Sequence, residues 1–221
     1  MTIGNLISRS VPALRMTDSV EFALSLLMEL RLRHLPVVDG DGALRGIVAE
    51  DTLLDADGPE ALVGQLIEGT PVSATLDQHV FDATRIMVRH DLTALPILDS
   101  EGRLAGIVKR HDILDQFARM LSTDEPGAIL ALEVHPSDYS LSQLVYSIEQ
   151  ADVKILSIST EAAAGEGGTI SVTVKLNSSE TARVRHVLEH QGYRIVAAFS
   201  DEYDEEDFRQ RVQEFMRYLE V

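Results

Sequence analysis

The sequence predicts an α+β protein in which one unit is written twice and a third unit of different design follows. Three observations carry this. First, "LPVVDGDGALRGIV" from Leu35 returns as "LPILDSEGRLAGIV" from Leu95, with Pro36/Pro96, Asp39/Asp99 and Gly46/Gly106 all 60 residues apart. The match runs back without a gap through Val20/Val80 and Ala23/Ala83 to Gly4-x-Leu6-Ile7 and Gly64-x-Leu66-Ile67. Second, each copy switches between helical and strand periodicity. Third, after the Pro- and Gly-containing stretch "STDEPGA" the repeat stops and a new alternation begins. A period of 60 exceeds the ~20 to 50 residues of a solenoid unit, and two copies are too few to stack as an array. The duplication therefore predicts one paired module.

Within the first copy, Thr17-Asp18-Ser19 offers caps before Val20, Ala23, Leu24, Leu27, Met28 and Leu30, an apolar stripe at helical spacing. His34–Val38 and Leu44–Val48 flank the turn formers Asp39-Gly40-Asp41-Gly42 and predict a hairpin, with a further helix from Glu50. In the second copy Asp77 opens a helix carrying Val80, Ala83, Ile86 and Met87. Leu95–Leu98 and Leu104–Val108 flank "DSEG", and a last helix runs from Asp112 towards Met120. The segments around Val11 and Val72 read as short strands ahead of the first helices.

The C-terminal third predicts strands at Ile129–Val134, Lys154–Thr160, Thr169–Leu176 and Arg194–Phe199, with helices after "HPSDYS" and within "NSSETARVRHVLEHQGY" and a flexible loop at "EAAAGEGG". Strand-helix-strand-strand-helix-strand is the ferredoxin-like order. The tail "DEYDEEDFRQRVQEFMRYLEV" holds eight acidic and three basic residues, with Phe208, Val212, Phe215 and Leu219 on one helical face. That face suits docking on its own chain or on a partner. The units are thus 1–60, 61–122, a linker at 123–127, 128–199, and an acidic amphipathic helix at 200–221.

Composition narrows the function. The net charge of -17 lacks the basic footprint that a nucleic-acid backbone or an anionic membrane surface demands. No run approaches the ~20 apolar residues of a membrane span. The N-terminus "MTIGNLISRS" has no basic-then-apolar signal pattern, and without cysteine the cytoplasm is the default compartment. There is no phosphate-binding glycine loop, no Ser-His-Asp motif and no zinc spacing, so catalysis is not expected. His186 and His190, four apart, lack a third ligand in their segment.

The doubled strand-helix-hairpin-helix unit, with its "hPhhD" and "GIV" signatures, resembles the cystathionine-beta-synthase-type (CBS) domain over residues 1 to 122. Residues 128 to 199 resemble an ACT-type regulatory domain. The combination is similar to acetoin-utilisation-type and related bacterial CBS proteins. The resemblance implies a paired, two-cleft module that binds an adenine nucleotide (AMP, ADP or ATP), controls another protein and forms a homodimer. No obligatory cofactor is implied. The turn Asp138-Tyr139-Ser140-Leu141 lacks the glycine usual in amino-acid-binding ACT turns, so amino-acid binding and simple dimerisation both stand as readings of that unit.

In the CBS family the pattern Gly-h-h-Thr/Ser-x-x-Asp lines the cleft, its aspartate accepting the ribose hydroxyls. The second repeat reads Gly106-Ile107-Val108-Lys109-Arg110-His111-Asp112 and keeps the aspartate. The first reads Gly46-Ile47-Val48-Ala49-Glu50-Asp51-Thr52 and does not. A carboxylate, which only accepts, suits a diol. Lys109, Arg110 and His111 form a compact basic run beside a helix N-terminus, which favours anions, whereas Glu50 and Asp51 repel them. Nucleotide binding is therefore expected mainly at repeat 2, through Asp112, Lys109, Arg110 and Ile107. Motif position adds Thr70, Val72, Ala94 and Pro96, and Arg33 and His34 as basic residues reaching phosphate across the repeats. The plainer alternatives are Asp112 as a helix cap, the basic run as a solvated face, and Arg33 and His34 as cations suiting a helix end. If both clefts are empty, the chain is a dimeric scaffold without a ligand.

Overall fold

The structure, a computed structural model, describes residues 2–161 and 168–200. The chain forms two compact units, residues 1–116 and 117–221. The predicted loop core at 162–167 and the predicted helix over 201–221 lie outside the described residues.

The first unit repeats one plan twice. Its first half is β1 (Leu14–Arg15), α1 (Val20–Leu30), β2 (His34–Val38), β3 (Leu44–Ala49) and α2 (Glu50–Leu54). The second half is β4 (Ala74–Thr75), α3 (Val80–Arg89), β5 (Ala94–Leu98), β6 (Leu104–Lys109) and α4 (Arg110–Met120). Each half carries a three-stranded sheet, ordered β1-β2-β3 and β4-β5-β6. The registers match at the 60-residue offset: Pro36 faces Ile47 as Pro96 faces Ile107, and each hairpin has its irregularity one step before the turn. Asp39 and Asp99 organise these turns. Asp39 Oδ1 accepts the N–H groups of Asp41 and Ala43, and Asp99 Oδ1 those of Glu101 and Arg103.

Local chemistry meets expectation at the start of α1 and differs from it at the start of α3 and at two strands. α1 is capped by Ser19, whose Oγ accepts the Phe22 N–H at 3.2 Å. α3 is capped not by Asp77, which takes the Thr75 hydroxyl, but by the His79 imidazole with Asp82 reaching back to the His79 N–H. β1 and β4 start two or three residues after Val11 and Val72, because pairing requires the stretch that lies parallel to β2 and β5.

The halves exchange their leading segments. Ile3 and Gly4 donate N–H bonds to Gln78 and Leu76 of the second half, and Ser8 pairs with Ile107 through two backbone bonds of 2.8 and 3.0 Å. Conversely Val63 and Gly64 donate to Asp18 and Met16 of the first half. This crossing explains the repeated glycine. A Cβ on Gly106 would lie 2.6 Å from the Ser8 carbonyl oxygen, and one on Gly46 2.5 Å from Ile67 Cγ2. The shared core joins both halves, with Leu14, Leu27, Leu35 and Leu53 packed with Val63, Ala94 and Ile107.

The second unit contains β7 (Ile129–Val134), α5 (Leu141–Glu149), β8 (Ile155–Glu161), β9 (Ile170–Leu176), α6 (Ala182–His190) and β10 (Arg194–Phe199). The sheet is antiparallel in the order β10-β7-β9-β8, the ferredoxin-like arrangement. Alternation on β7 and β9 sends Leu130, Leu132, Val172, Val174 and Leu176 into a core closed by Leu144, Ile148, Val184 and Leu188.

Candidate functional site

The region singled out by sequence lies where β6 ends and α4 begins. Lys109 is the last residue of β6, opposite Ala94, and the Arg110 N–H donates to the Thr93 carbonyl at 2.9 Å. That bond turns the chain into α4 and places Asp112 in its first turn. Asp112 Oδ2 accepts the Lys109 N–H at 3.3 Å and Oδ1 lies 3.2 Å from His111 Nε2, with 29% of the side chain exposed. The carboxylate therefore holds the N–H of the residue just before α4 and keeps acceptor capacity towards solvent, since its two oxygens offer about four lone-pair sites.

The basic residues divide. Arg110 is turned back on its own half: Nε donates to the Leu92 carbonyl at 2.9 Å and Nη2 to Asp91 Oδ1 at 2.8 Å. The Arg110 hydrogen bond holds the Asp91 carboxyl below its ordinary range. Lys109 has no ion pair among the described residues.

Arg33 and His34 lie where the two hairpins meet. Thr93, 60 residues beyond Arg33, accepts the Arg33 N–H on Oγ1 at 3.1 Å, and its own N–H donates to His34 Nδ1 at 3.2 Å. His34 Nδ1 is thus an acceptor, which fixes the proton of the neutral ring on Nε2. Burial first, then the Arg33 charge, lowers the His34 pKa. The Arg33 guanidinium points to the first repeat's acids, with Nη2 3.0 Å from Asp51 Oδ2 and Nε 3.3 Å from Glu50 Oε2. Asp51 above all strengthens its hold on the proton.

Positions 50 and 110 thus both carry a charge paired with the preceding loop, with the signs exchanged and with loop partners, Arg33 and Asp91, at positions that are not equivalent. In repeat 1 the loop supplies Arg33 and the helix start the acids; in repeat 2 the loop supplies Asp91 and the helix start Arg110.

The remaining residues are not all brought to one place. Ile107, Ala94 and Pro96 are buried in the strands of repeat 2. Thr70 and Val72 continue from Ile67, which covers Gly46 on the hairpin of repeat 1. The leading segment fixed beside Gly106 and Ile107 is instead Ile7–Ser8, with the Ser8 and Ser10 hydroxyls 3.2 Å apart. Sequence reasoning missed Ser8 and the Thr93 hub. Gly106 signalled that a chain passes there, and only the fold tells which chain. On α6, His186 and His190 face each other with ring centroids 6.3 Å apart, and no group of three metal-ligating side chains occurs among the described residues.

The CBS domain model matches residues 3–58 and 63–119, and the chain belongs to the CBS domain family. A CBS domain-containing protein of Dictyostelium discoideum is 31% identical over 139 residues, 56% of this chain and 96% of that protein. Against longer relatives the chain spans a small part: the magnesium transporter MgtE of Thermus thermophilus is 32% identical over 117 residues, 26% of its length. Among solved structures, CBSX2 in complex with AMP matches 52% of this chain and 95% of its own at 26% identity and a TM-score of 0.48. No helix among the described residues is long and apolar enough to cross a membrane.

Proposed function

We propose that the chain is a non-catalytic regulatory protein whose CBS pair binds an adenine nucleotide at the repeat 2 cleft, working as a cytoplasmic homodimer that controls another protein. The observation that carries this reading is the start of α4. There Asp112 keeps a partly exposed carboxylate beside Lys109, whose ammonium is free of ion pairs among the described residues. The carboxylate accepts the vicinal ribose hydroxyls and Lys109 meets phosphate, helped by the positive end of α4. Repeat 1 presents Glu50 and Asp51 at the matching place, already joined to Arg33, and is the silent cleft. The bound nucleotide acts through differential affinity for two arrangements of the pair. The residue groups 1–60, 61–122 and 128–199 are its working parts, with 128–199 an ACT-like regulatory or dimerising unit.

A second reading has its own support. Arg33 and Arg110 are both neutralised inside the chain, which suits a scaffold with two empty clefts. A thermal-shift panel of AMP, ADP, ATP, S-adenosylmethionine and cyclic dinucleotides separates the two. Ligand at 100 times its Kd stabilises by about 2.7 kcal/mol, a rise of several degrees that Asp112→Ala abolishes. A flat panel at millimolar ligand assigns the chain to the scaffold class.

A further inference from the structure

The two repeats meet through residues 33, 34 and 93, and the meeting is not symmetric. The Arg33 carbonyl accepts the Glu50 N–H at 2.9 Å, and its equivalent, the Thr93 carbonyl, accepts the Arg110 N–H at 2.9 Å, so each holds the start of one helix. Between them the Arg33 N–H donates to Thr93 Oγ1 and the Thr93 N–H to His34 Nδ1. At the position equivalent to His34, repeat 2 has Ala94. The ring therefore acts in one direction, from repeat 1 onto the loop of repeat 2.

One peptide group carries that action to α4. The group that joins Leu92 to Thr93 has its N–H bound to His34 Nδ1 at 3.2 Å and its carbonyl accepting Arg110 Nε at 2.9 Å. Bonds at the two ends of one amide polarise each other, so the loss of one weakens the other. Arg110 is thus held twice by this loop, through Nε by Leu92 and through its backbone N–H by Thr93. It stands between Lys109 and Asp112, the two residues on which the nucleotide reading depends.

A proton on His34 removes the acceptor. The neutral ring offers Nδ1 as an acceptor, whereas both nitrogens of the charged ring donate. Two N–H groups then face each other across 3.2 Å, and the Thr93 hydroxyl, 3.1 Å from the same nitrogen, has to turn a lone pair to the ring. Burial opposes the charge most. Arg33 ahead of β2 and Arg110 at the start of α4 oppose it as well, while Asp91 ahead of β5 and Asp51 on α2 favour it, and the balance keeps the ring neutral.

We infer that His34 is a proton switch on the candidate nucleotide site: the neutral ring fixes the peptide between Leu92 and Thr93 and with it the start of α4, and protonation releases both and weakens nucleotide binding at Asp112 and Lys109. The inference rests on the repeat 2 nucleotide reading and adds its regulation. By linkage, nucleotide binding disfavours the proton by the same factor. Loss of one such hydrogen bond corresponds to a fall in affinity of about 5-fold.

Calorimetric titration of AMP into the full chain between pH 8 and 5 is compared with the same titration of His34→Asn, whose amide oxygen reaches the place of Nδ1 and accepts at every pH. The AMP phosphate titrates in the same range and affects both proteins alike, so the ratio of their affinities isolates the ring. On acidification the wild type loses about 5-fold relative to the variant. A constant ratio, or a wild type that gains affinity as the ring charges, overturns the inference. Amide NMR of the chain without ligand separates the switch from the nucleotide reading: the Thr93 and Arg110 amides shift with the same midpoint as the His34 ring. A ring that titrates while the Arg110 amide stays still overturns the switch whether or not AMP binds. AMP that binds neither protein at any pH overturns the nucleotide reading and the regulation built on it.

Discussion

Replacing Gly106 by alanine tests how the two halves are joined. Gly106 has φ +153°, and an added Cβ would lie 2.6 Å from the Ser8 carbonyl oxygen and 2.9 Å from Ile7 Cγ1. Backbone strain at such a position costs about 1–3 kcal/mol, and overpacking against backbone that cannot rotate away costs about 1–3 kcal/mol more. Relief would require the Ser8 segment to retreat and surrender its two bonds to Ile107, each worth about 1 kcal/mol. The expected cost is about 2–6 kcal/mol. Gly102 is the control: its φ is +77°, but nothing lies within 4 Å of its added Cβ, so Gly102→Ala carries strain alone, about 1–2 kcal/mol. Urea unfolding followed by circular dichroism resolves the difference, since with a slope of about 2 kcal/mol per molar the Gly106 variant shifts the midpoint by about 1–3 M. Equal midpoints for the two variants would refute the crossing of Ile7–Ser8 over β6 as the clamp between halves.

Other outcomes follow from the same contacts. Thr93→Val leaves the Arg33 N–H without its acceptor and lowers stability by about 1–2 kcal/mol in urea unfolding, and a neutral result would contradict the hub. The lowered His34 pKa means that the folded chain prefers the neutral ring. Its contribution is therefore complete above the unfolded value of about 6.5 and is lost as pH falls through the lower folded value. Unfolding curves between pH 8 and 5 should show His34→Gln losing less stability on acidification than the wild type, and parallel losses would sink the assignment. Ser19→Ala removes the cap on the Phe22 N–H and costs about 1 kcal/mol, measured by the same unfolding curves.

Much of the fold was legible because it was written twice. The 60-residue offset fixes the hairpins at Pro36/Pro96 and Asp39/Asp99, and the registers agree residue by residue. What the sequence hid depends on distance. Asp77 has the chemistry of a cap, yet Thr75 Oγ1 holds its carboxylate and His79 caps α3 instead. Thr70 and Val72 stand next to repeat 2 in the chain, but the exchange of leading segments sets Ile7–Ser8 beside β6. No local pattern announces such an exchange; the glycine that permits it is visible, and its partner is not. The basic run 109–111 was also legible as a run, although its division between a Lys109 without an ion pair among the described residues and an Arg110 bound to Asp91 and Leu92 arises from the turn into α4.

Calorimetric titration of AMP into the full chain and its variants tests the central claim most directly. The account predicts one mole bound per mole of chain, lost in Asp112→Asn, weakened in Lys109→Met and unchanged in Thr52→Ala. Two moles per chain, or binding that survives Asp112→Asn and fails in Thr52→Ala, would contradict a single site at the start of α4.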